Sequence, residues 1–364
     1  MGRRKLKNKK ILIIILIILL VIVVGFAIYV MYGFYKIKQL SEMTFEEMLS
    51  YTTEDNGDAL ITVGIIKNGE MTYTVYGENG TILPQEEYIY EIGSITKTFT
   101  TSLLSKAISE GRISLEDTID KYIELPKKDY YTTIKRLVTH TSGYKAFYFE
   151  KPMIFNFLNG ENDFNGISEE MIRSRLGKIN LEDKDYQFNY SNFGMAVLGL
   201  VLEEVYGRDY THLMNDYSKN DLGLLNTKIL HENADLENYW KWTEDDGYIP
   251  AGAILSNITD VMEYAHMHMI GNPEYLSGTH QVLAQIDTAN STNELMGIHM
   301  NGVGSGWIID NDNEIIWHNG ATRNYNSYLG FNKEKQIGVV ILSNLAPDHR
   351  IPATIIGIEL LTSE

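Results

Sequence analysis

Hydrophobic positions along this chain fall into three regimes. From Ile11 to Tyr35 they form a run of 25 uncharged residues dominated by Ile, Leu and Val. As helix, at about 1.5 Å per residue, such a run reaches about 37 Å and exceeds a hydrocarbon core of about 30 Å. A secretory signal peptide has a shorter apolar region, about 7–15 residues, and ends at a small-x-small site. This run instead ends Tyr29-Val-Met-Tyr-Gly-Phe-Tyr35, with aromatics where the water interface would lie. Residues 11–35 therefore read as a single transmembrane anchor that is retained. Six basic residues precede it and two follow closely, which orients residues 1–10 as a basic cytoplasmic tip and exports the rest.

The second regime is a mixture of period-2 and helical patterns. Residues 36–57 form a juxtamembrane linker, and within them Thr44-Phe-Glu-Glu47 fits a capping box that opens a short helix. Leu60–Ile66 and Thr72–Tyr76 read as strands joined through Asn68-Gly69, a hairpin signal. Ile95, Phe99, Leu103, Leu104, Ala107 and Ile108 then make an i, i+3/i+4 stripe that stops near Gly111. Roughly 98–265 is mostly helical pattern broken by Gly- and Asn-containing loops.

The third regime returns to strands. Gly306–Ile309, Glu314–His318, Ser327–Phe331 and Gly338–Ser343 are short and separated by turn residues, and Ile351–Leu361 predicts a closing amphipathic helix. Strands at both ends with helices between them predict one α+β domain over 58–364, its sheet built from both chain ends and its middle an inserted helical region.

Charge sharpens this division. The formal total is −17, yet residues 1–38 carry eight basic side chains and no acidic one, so the exported part holds 23 basic against 48 acidic side chains, a balance of −25. So acidic a domain is not a nucleic-acid binder. The chain has no cysteine, which excludes disulfides, thiolate chemistry and Cys-based metal sites. His266-Met-His268 is not a helical metal pair, since i and i+2 point to different faces. No metal and no cofactor is expected, and nothing in the sequence bears on oligomeric state.

Three motifs carry chemistry. In Gly93-Ser94-Ile95-Thr96-Lys97 a serine stands at the mouth of the apolar helix with a lysine one turn on. At that spacing Lys97 can reach the Ser94 hydroxyl, a poor nucleophile without a neighbouring base. The same spacing recurs at Ser142-Gly-Tyr-Lys145, but in a turn with no helix behind it. Tyr190-Ser191-Asn192 offers a phenol to share a proton with Lys97 and an amide to hold the Lys97 ammonium and a substrate carbonyl. His318-Asn319-Gly320-Ala321, at a strand end, offers a cleft-lining edge where Gly320 admits a substrate backbone and a following N–H completes an oxyanion hole. Alone, the tyrosine and the histidine each read as ordinary packed residues.

Together, and in this order, 96 and 128 residues apart, the motifs resemble the serine β-lactamase/penicillin-binding superfamily, in the branch of class C β-lactamases and D-Ala-D-Ala peptidases. Stretches such as Leu137-Val-Thr-His-Thr-Ser-Gly143, Ala251-Gly-Ala-Ile-Leu-Ser256 and Val339-Val-Ile-Leu-Ser-Asn344 extend the resemblance over roughly 55–364. It implies an α/β (α+β) β-lactamase/transpeptidase-like fold, with Ser94 acylated, Lys97 and Tyr190 as the proton-transfer pair, Asn192 orienting substrate and Lys97, and the Ser94 and Ala321 N–H groups as oxyanion donors. It gives His140 a structural role in a turn that shapes the cleft wall. His318 stands where β-lactamases of this branch carry lysine, and Arg323-Asn324 where the family tends to have Pro-Gly. A lysine there holds a carboxylate, whereas a histidine is mostly neutral at pH 7. Arg323 reads as solvent-facing.

The expected protein is thus an extracellular hydrolase anchored in the bilayer of a Gram-positive type bacterium, acting through an acyl-enzyme on an amide or ester carbonyl of a small-molecule or peptidoglycan-like substrate. A D-alanyl group is the economical choice, as in a D-Ala-D-Ala carboxypeptidase or penicillin-binding protein. The acidity of the domain weighs against teichoic acid and toward peptidoglycan. A β-lactamase, an esterase and a D-amino-acid peptidase are alternatives within the class. A penicillin-recognising sensor or wall-binding protein that does not turn over is the alternative outside it.

Overall fold

A computed structural model of the chain describes residues 38–231, 238–286 and 296–363, with scattered positions between 19 and 35 and between 288 and 294. The basic tip and most of the expected anchor lie outside the described residues, and among those described no helix is long and apolar enough to cross a membrane. The described positions from Leu19 to Tyr35 are helical, and their large apolar side chains are exposed.

The strands are β1 (Ile61–Lys67), β2 (Glu70–Tyr76), β3 (Ile82–Leu83), β4 (Tyr90–Glu91), β5 (Leu255–Ser256), β6 (Ala284–Gln285), β7 (Gly302–Val303), β8 (Ile308–Asp310), β9 (Ile315–Ala321), β10 (Asn326–Asn332) and β11 (Ile337–Ser343). Nine form one sheet in the order β3-β2-β1-β11-β10-β9-β8-β7-β6, and β4 pairs with β5 apart from it. The two chain ends meet at its centre, where β1 runs antiparallel to β11 with Val63 opposite Ile341. The β1–β2 turn uses Asn68 and Gly69 at φ +52° and +84°, the backbone that Asn-Gly takes most readily.

Helices cover both faces. They are α1 (Phe45–Thr52), α2 (Thr96–Ser109), α3 (Ile134–Val138), α4 (Lys151–Asn159), α5 (Glu169–Lys178), α6 (Asn192–Tyr206), α7 (Tyr210–Asp216), α8 (Ile249–Gly252), α9 (Ile258–Ile270) and α10 (Ala353–Ser363). The capping box forms as expected: Thr44 Oγ1 accepts the Glu47 N–H and Glu47 accepts the Thr44 N–H. On one face α1 and α10 pack with Tyr328, Val339 and Ile341. On the other, α9 lies so close to β1 that a Cβ on Gly64 would fall 2.5 Å from Met262 Sδ, and behind it α2, α6 and the other middle helices form a larger core. Every residue of β10 and β11 is buried, because both faces are covered.

Two expectations change. The strand expected over Gly306–Ile309 begins instead at Ile308, since Gly306 sits at φ +72° in the preceding turn. The last helix is not amphipathic in use: Ala353, Thr354, Ile356, Gly357, Ile358, Leu360 and Leu361 are all buried, and Gly357 is needed because a Cβ there would strike Tyr328.

Candidate active site

Ser94 occupies a tight turn, Gly93–Ile95, that feeds directly into α2. Gly93 has φ +50°, and a Cβ on it would lie 2.6 Å from Ala321 N. From the other side, a Cβ on Gly320 would lie 1.9 Å from the Ile92 carbonyl oxygen. Ser327 Oγ donates to that same carbonyl at 2.9 Å. Two glycines thus let the serine turn and the end of β9 touch backbone to backbone, which brings the Ser94 and Ala321 main chains side by side. β8 pairs with β9 only as far as Trp317, so His318–Ala321 project beyond it as a free edge.

Lys97, on the first turn of α2, has no solvent exposure. Its Nζ lies 2.9 Å from Ser94 Oγ and donates to the Ala251 carbonyl at 2.6 Å. Among the described residues no carboxylate accompanies it there, and burial alone holds its pKa well below the ordinary lysine value. Tyr190 lies just before the α6 N-cap, Ser191, whose Oγ accepts the Gly194 N–H. Lys97 Nζ stands 4.9 Å from the Tyr190 ring centroid. Desolvation raises the Tyr190 phenol above its usual range, and a hydrogen bond with Ser94 offsets part of that. Burial thus pushes both members of the pair toward their uncharged forms.

His318 is buried on β9 with its ring 6.1 Å from that of Tyr190. Its Nδ1 lies 2.6 Å from the Asn319 carbonyl oxygen, which can only accept, so Nδ1 carries the proton and Nε2 keeps a bare lone pair. That Nε2 is buried without a partner among the described residues. Desolvation first, then the nearby Lys97, push the imidazole down to about 3, against a smaller opposing effect of the Asn319 carbonyl. His318 is a neutral acceptor here and cannot act as the cation it replaces.

The structure gathers Ser94, Lys97, Tyr190, His318, Gly320 and Ala321 into one cleft but departs from expectation at Asn192. Asn192 opens α6, half-buried, and its amide makes no hydrogen bond among the described residues; the Ala251 carbonyl holds Lys97 instead. The second Ser-x-x-Lys does not pair, because Ser142 is buried in its turn while Lys145 is exposed. Arg323 is exposed, as expected, and lines the outer cleft with Ala321 and Thr322. His268 is packed in the core against Ser102 and His280, as a structural histidine.

His140, expected to be structural in the cleft wall, has φ +56°, accepts the Ser191 N–H at 3.2 Å and lays its ring 4.7 Å from that of Tyr190. One contributor, Glu91, carries no signal in the sequence. Glu91 is buried on β4, where it accepts from the Trp240 N–H and from Thr322 Oγ1. Desolvation raises its pKa to about 7, against those two hydrogen bonds. Away from the cleft, Glu169, Glu203 and Asp209 bring carboxylate oxygens within 4.8 Å of one another. Burial and the facing Glu169 raise Glu203 to about 8.

Residues 55–360 match the family model described as Beta-lactamase. The curated relative Protein flp of Staphylococcus aureus (strain MW2) is 25% identical over 277 residues, covering 71% of this chain and 53% of the relative. The chain thus spans about half the length of the curated relatives it matches. An octameric penicillin-binding protein homologue from Pyrococcus abyssi superposes with a TM-score of 0.69 at 22% identity, covering 87% of this chain and 75% of that one. A β-lactamase/D-alanine carboxypeptidase from Yersinia pestis complexed with citrate also gives 0.69, at 17% identity, covering 87% and 95%. At such identities these likenesses are of fold.

Proposed function

The chain belongs to the β-lactamase family and is of the β-lactamase/DD-peptidase serine hydrolase type; from that premise we propose that it is a bilayer-anchored extracellular enzyme that removes D-alanyl groups through an acyl-enzyme. The observation that carries the reading is the desolvated Lys97 amine 2.9 Å from Ser94 Oγ. Ser94 Oγ attacks the substrate carbonyl and passes its proton to Lys97 Nζ, while the Ser94 and Ala321 N–H groups receive the oxyanion. Tyr190, still protonated, hands a proton to the leaving group and is recharged from Lys97. Water, losing a proton to Lys97, then attacks the ester; Ser94 Oγ leaves with the proton that Lys97 returns, the acid is freed, and each side chain ends in its starting protonation state.

Two further observations bear on substrate. A neutral His318 with a bare Nε2 suits a donor group and gives no support to a carboxylate. This favours D-alanyl esters or amides with an uncharged leaving group over D-Ala-D-Ala termini and penicillins, leaving Arg323 at the outer cleft as the cation for any carboxylate that does enter. The apolar run of residues 11–35 supports the anchor, and the basic tip before it supports export of the domain.

The test is hydrolysis by the full chain of a panel containing D-Ala esters, D-Ala amides, D-Ala-D-Ala peptides and a chromogenic cephalosporin, with fluorophosphonate labelling of wild type and Ser94→Ala. Labelling lost in the variant, with esters or uncharged amides turned over fastest, is expected. Absence of labelling in wild type overturns the mechanism; preference for the carboxylate-bearing substrates overturns the substrate assignment.

A further inference from the structure

Among the described residues beyond position 38, ten large apolar side chains face solvent; Ile82, Leu225, Ile270 and Val282 do so singly, whereas Phe147, Phe149, Ile154, Phe155, Phe157 and Leu158 cluster on helix α4 and the loop before it. The helix is held by its inner side, where Met153 is buried and the buried Asn156 donates to the Asn165 carbonyl at 2.8 Å. Its outer side has no charged residue from Met153 to Leu158. A broad, uncharged face of Phe, Ile and Leu on a short helix, with Lys151 at its start, has the composition of a segment that lies in a lipid interface.

Its position in the fold points the same way. Phe157 lines one open cleft with Ala321–Asn324 and Ala346–Asp348. The chain directly after that last loop holds α1, through His349 Nε2 to the Thr52 carbonyl at 3.1 Å and Arg350 to the Tyr51 carbonyl. Helix α1 and the exposed face of α4 thus flank the same loop. Residues 36–44, between the apolar run and α1, span at most about 30 Å even fully extended.

We infer that the exposed face of α4 docks on the bilayer in which the chain is anchored, laying the active-site cleft along the membrane surface toward acyl substrates presented there. The inference rests on the anchor reading above. Docking by apolar side chains alone makes it insensitive to salt, in contrast to a basic patch, and the aromatic rings are expected about 5–10 Å into the headgroup and acyl boundary.

The absence of cysteine makes the test direct. Full chain carrying Phe155→Cys, labelled with an environment-sensitive fluorophore, is reconstituted at one copy per phosphatidylcholine nanodisc. Glu70→Cys, at the opposite end of β1 and β2 from α1, serves as control. Retention on lipid through an alkaline wash reads the anchor separately. The expected result is a blue shift at position 155, with quenching by shallow doxyl lipids and loss of quenching by aqueous iodide, none of it at position 70 and none of it altered by salt. A retained chain whose position 155 stays as water-accessible as position 70 overturns the docking alone. Protection that survives without quenching by doxyl lipid marks contact with protein and also overturns it. A chain that washes off the lipid overturns the anchor, and the docking with it.

Discussion

Histidine at position 318 invites the assumption of a pH-switched cation, and the geometry predicts the opposite. A pKa of about 3 lies about 3.5 units below the free value, equivalent to about 5 kcal/mol against the imidazolium. At pH 7 roughly one molecule in ten thousand carries the charge. Lowering the pH from 8 to 5 should therefore leave His318 neutral, with its proton fixed on Nδ1 by the Asn319 carbonyl. Nitrogen-detected NMR of the imidazole should show one protonated nitrogen throughout, and kcat/KM for an uncharged D-alanyl ester should have no limb near 6.5 that belongs to this residue. Replacing His318 by lysine installs a donor where Nε2 only accepts. A charge-assisted hydrogen bond contributes about 1.5–3 kcal/mol, so the preference for a carboxylate-bearing peptide over the ester should rise about 10- to 100-fold. An acidic limb near 6.5 that vanishes in His318→Gln would refute the reasoning. Stability is linked with a definite sign: a histidine held low in the fold costs nothing above pH 6.5, and stability falls as pH drops from 6.5 toward 3.

Other outcomes follow from single contacts. Lys97→Ala should lower kcat/KM by about 10²- to 10⁴-fold while the protein still binds substrate, and in wild type activity should fall with pH as the depressed lysine protonates. Gly320→Ala places a Cβ 1.9 Å from the Ile92 carbonyl; it should cost about 1–3 kcal/mol in a urea melt and about 10²-fold in kcat/KM as the oxyanion donors part. Glu91 holds its proton up to about pH 7 in the fold, so the stability it contributes is full below its unfolded value and lost as pH rises through 7. Glu91→Gln should flatten that part of the urea midpoint profile, a change of up to about 3 kcal/mol.

Much of the frame could be read from local pattern, because its determinants are local. The capping box at Thr44, the Asn68-Gly69 turn and the apolar stripe of α2 each act over a few residues. Ser94 and Lys97 were legible for the same reason, one helical turn joining them. What escaped depends on contacts between distant segments. The carbonyl that holds Lys97 comes from Ala251, 154 residues away, and a backbone acceptor leaves no residue-type signal. The acceptor tautomer of His318 is set by its neighbour's carbonyl orientation, which no composition rule encodes. Gly320 was read as room for substrate, whereas the fold spends that space first on the Ile92 carbonyl.

These contacts share a consequence for catalysis. Lys97, Tyr190, His318 and His140 are all ionisable, and burial pushes each toward its uncharged form. Lys97 meets the Ser94 hydroxyl and the Ala251 carbonyl and, among the described residues, no carboxylate, so the nucleophile and its base have no ion pair to break. Negative charge develops on the substrate oxygen as the Ser94 proton moves to Lys97, and at that moment the N–H groups of Ser94 and Ala321 are already placed by the Gly93 and Gly320 contacts. Interactions that strengthen only as charge develops lower the barrier without tightening ground-state binding. The acidity of the domain then matters little to the chemical step, since the reacting groups lie away from bulk water and the surface carboxylates are screened over about 8–10 Å. A variant that restores a resting charge in this cleft, such as His318→Lys beside Lys97, should accordingly depress kcat on neutral esters even as it improves recognition of carboxylates.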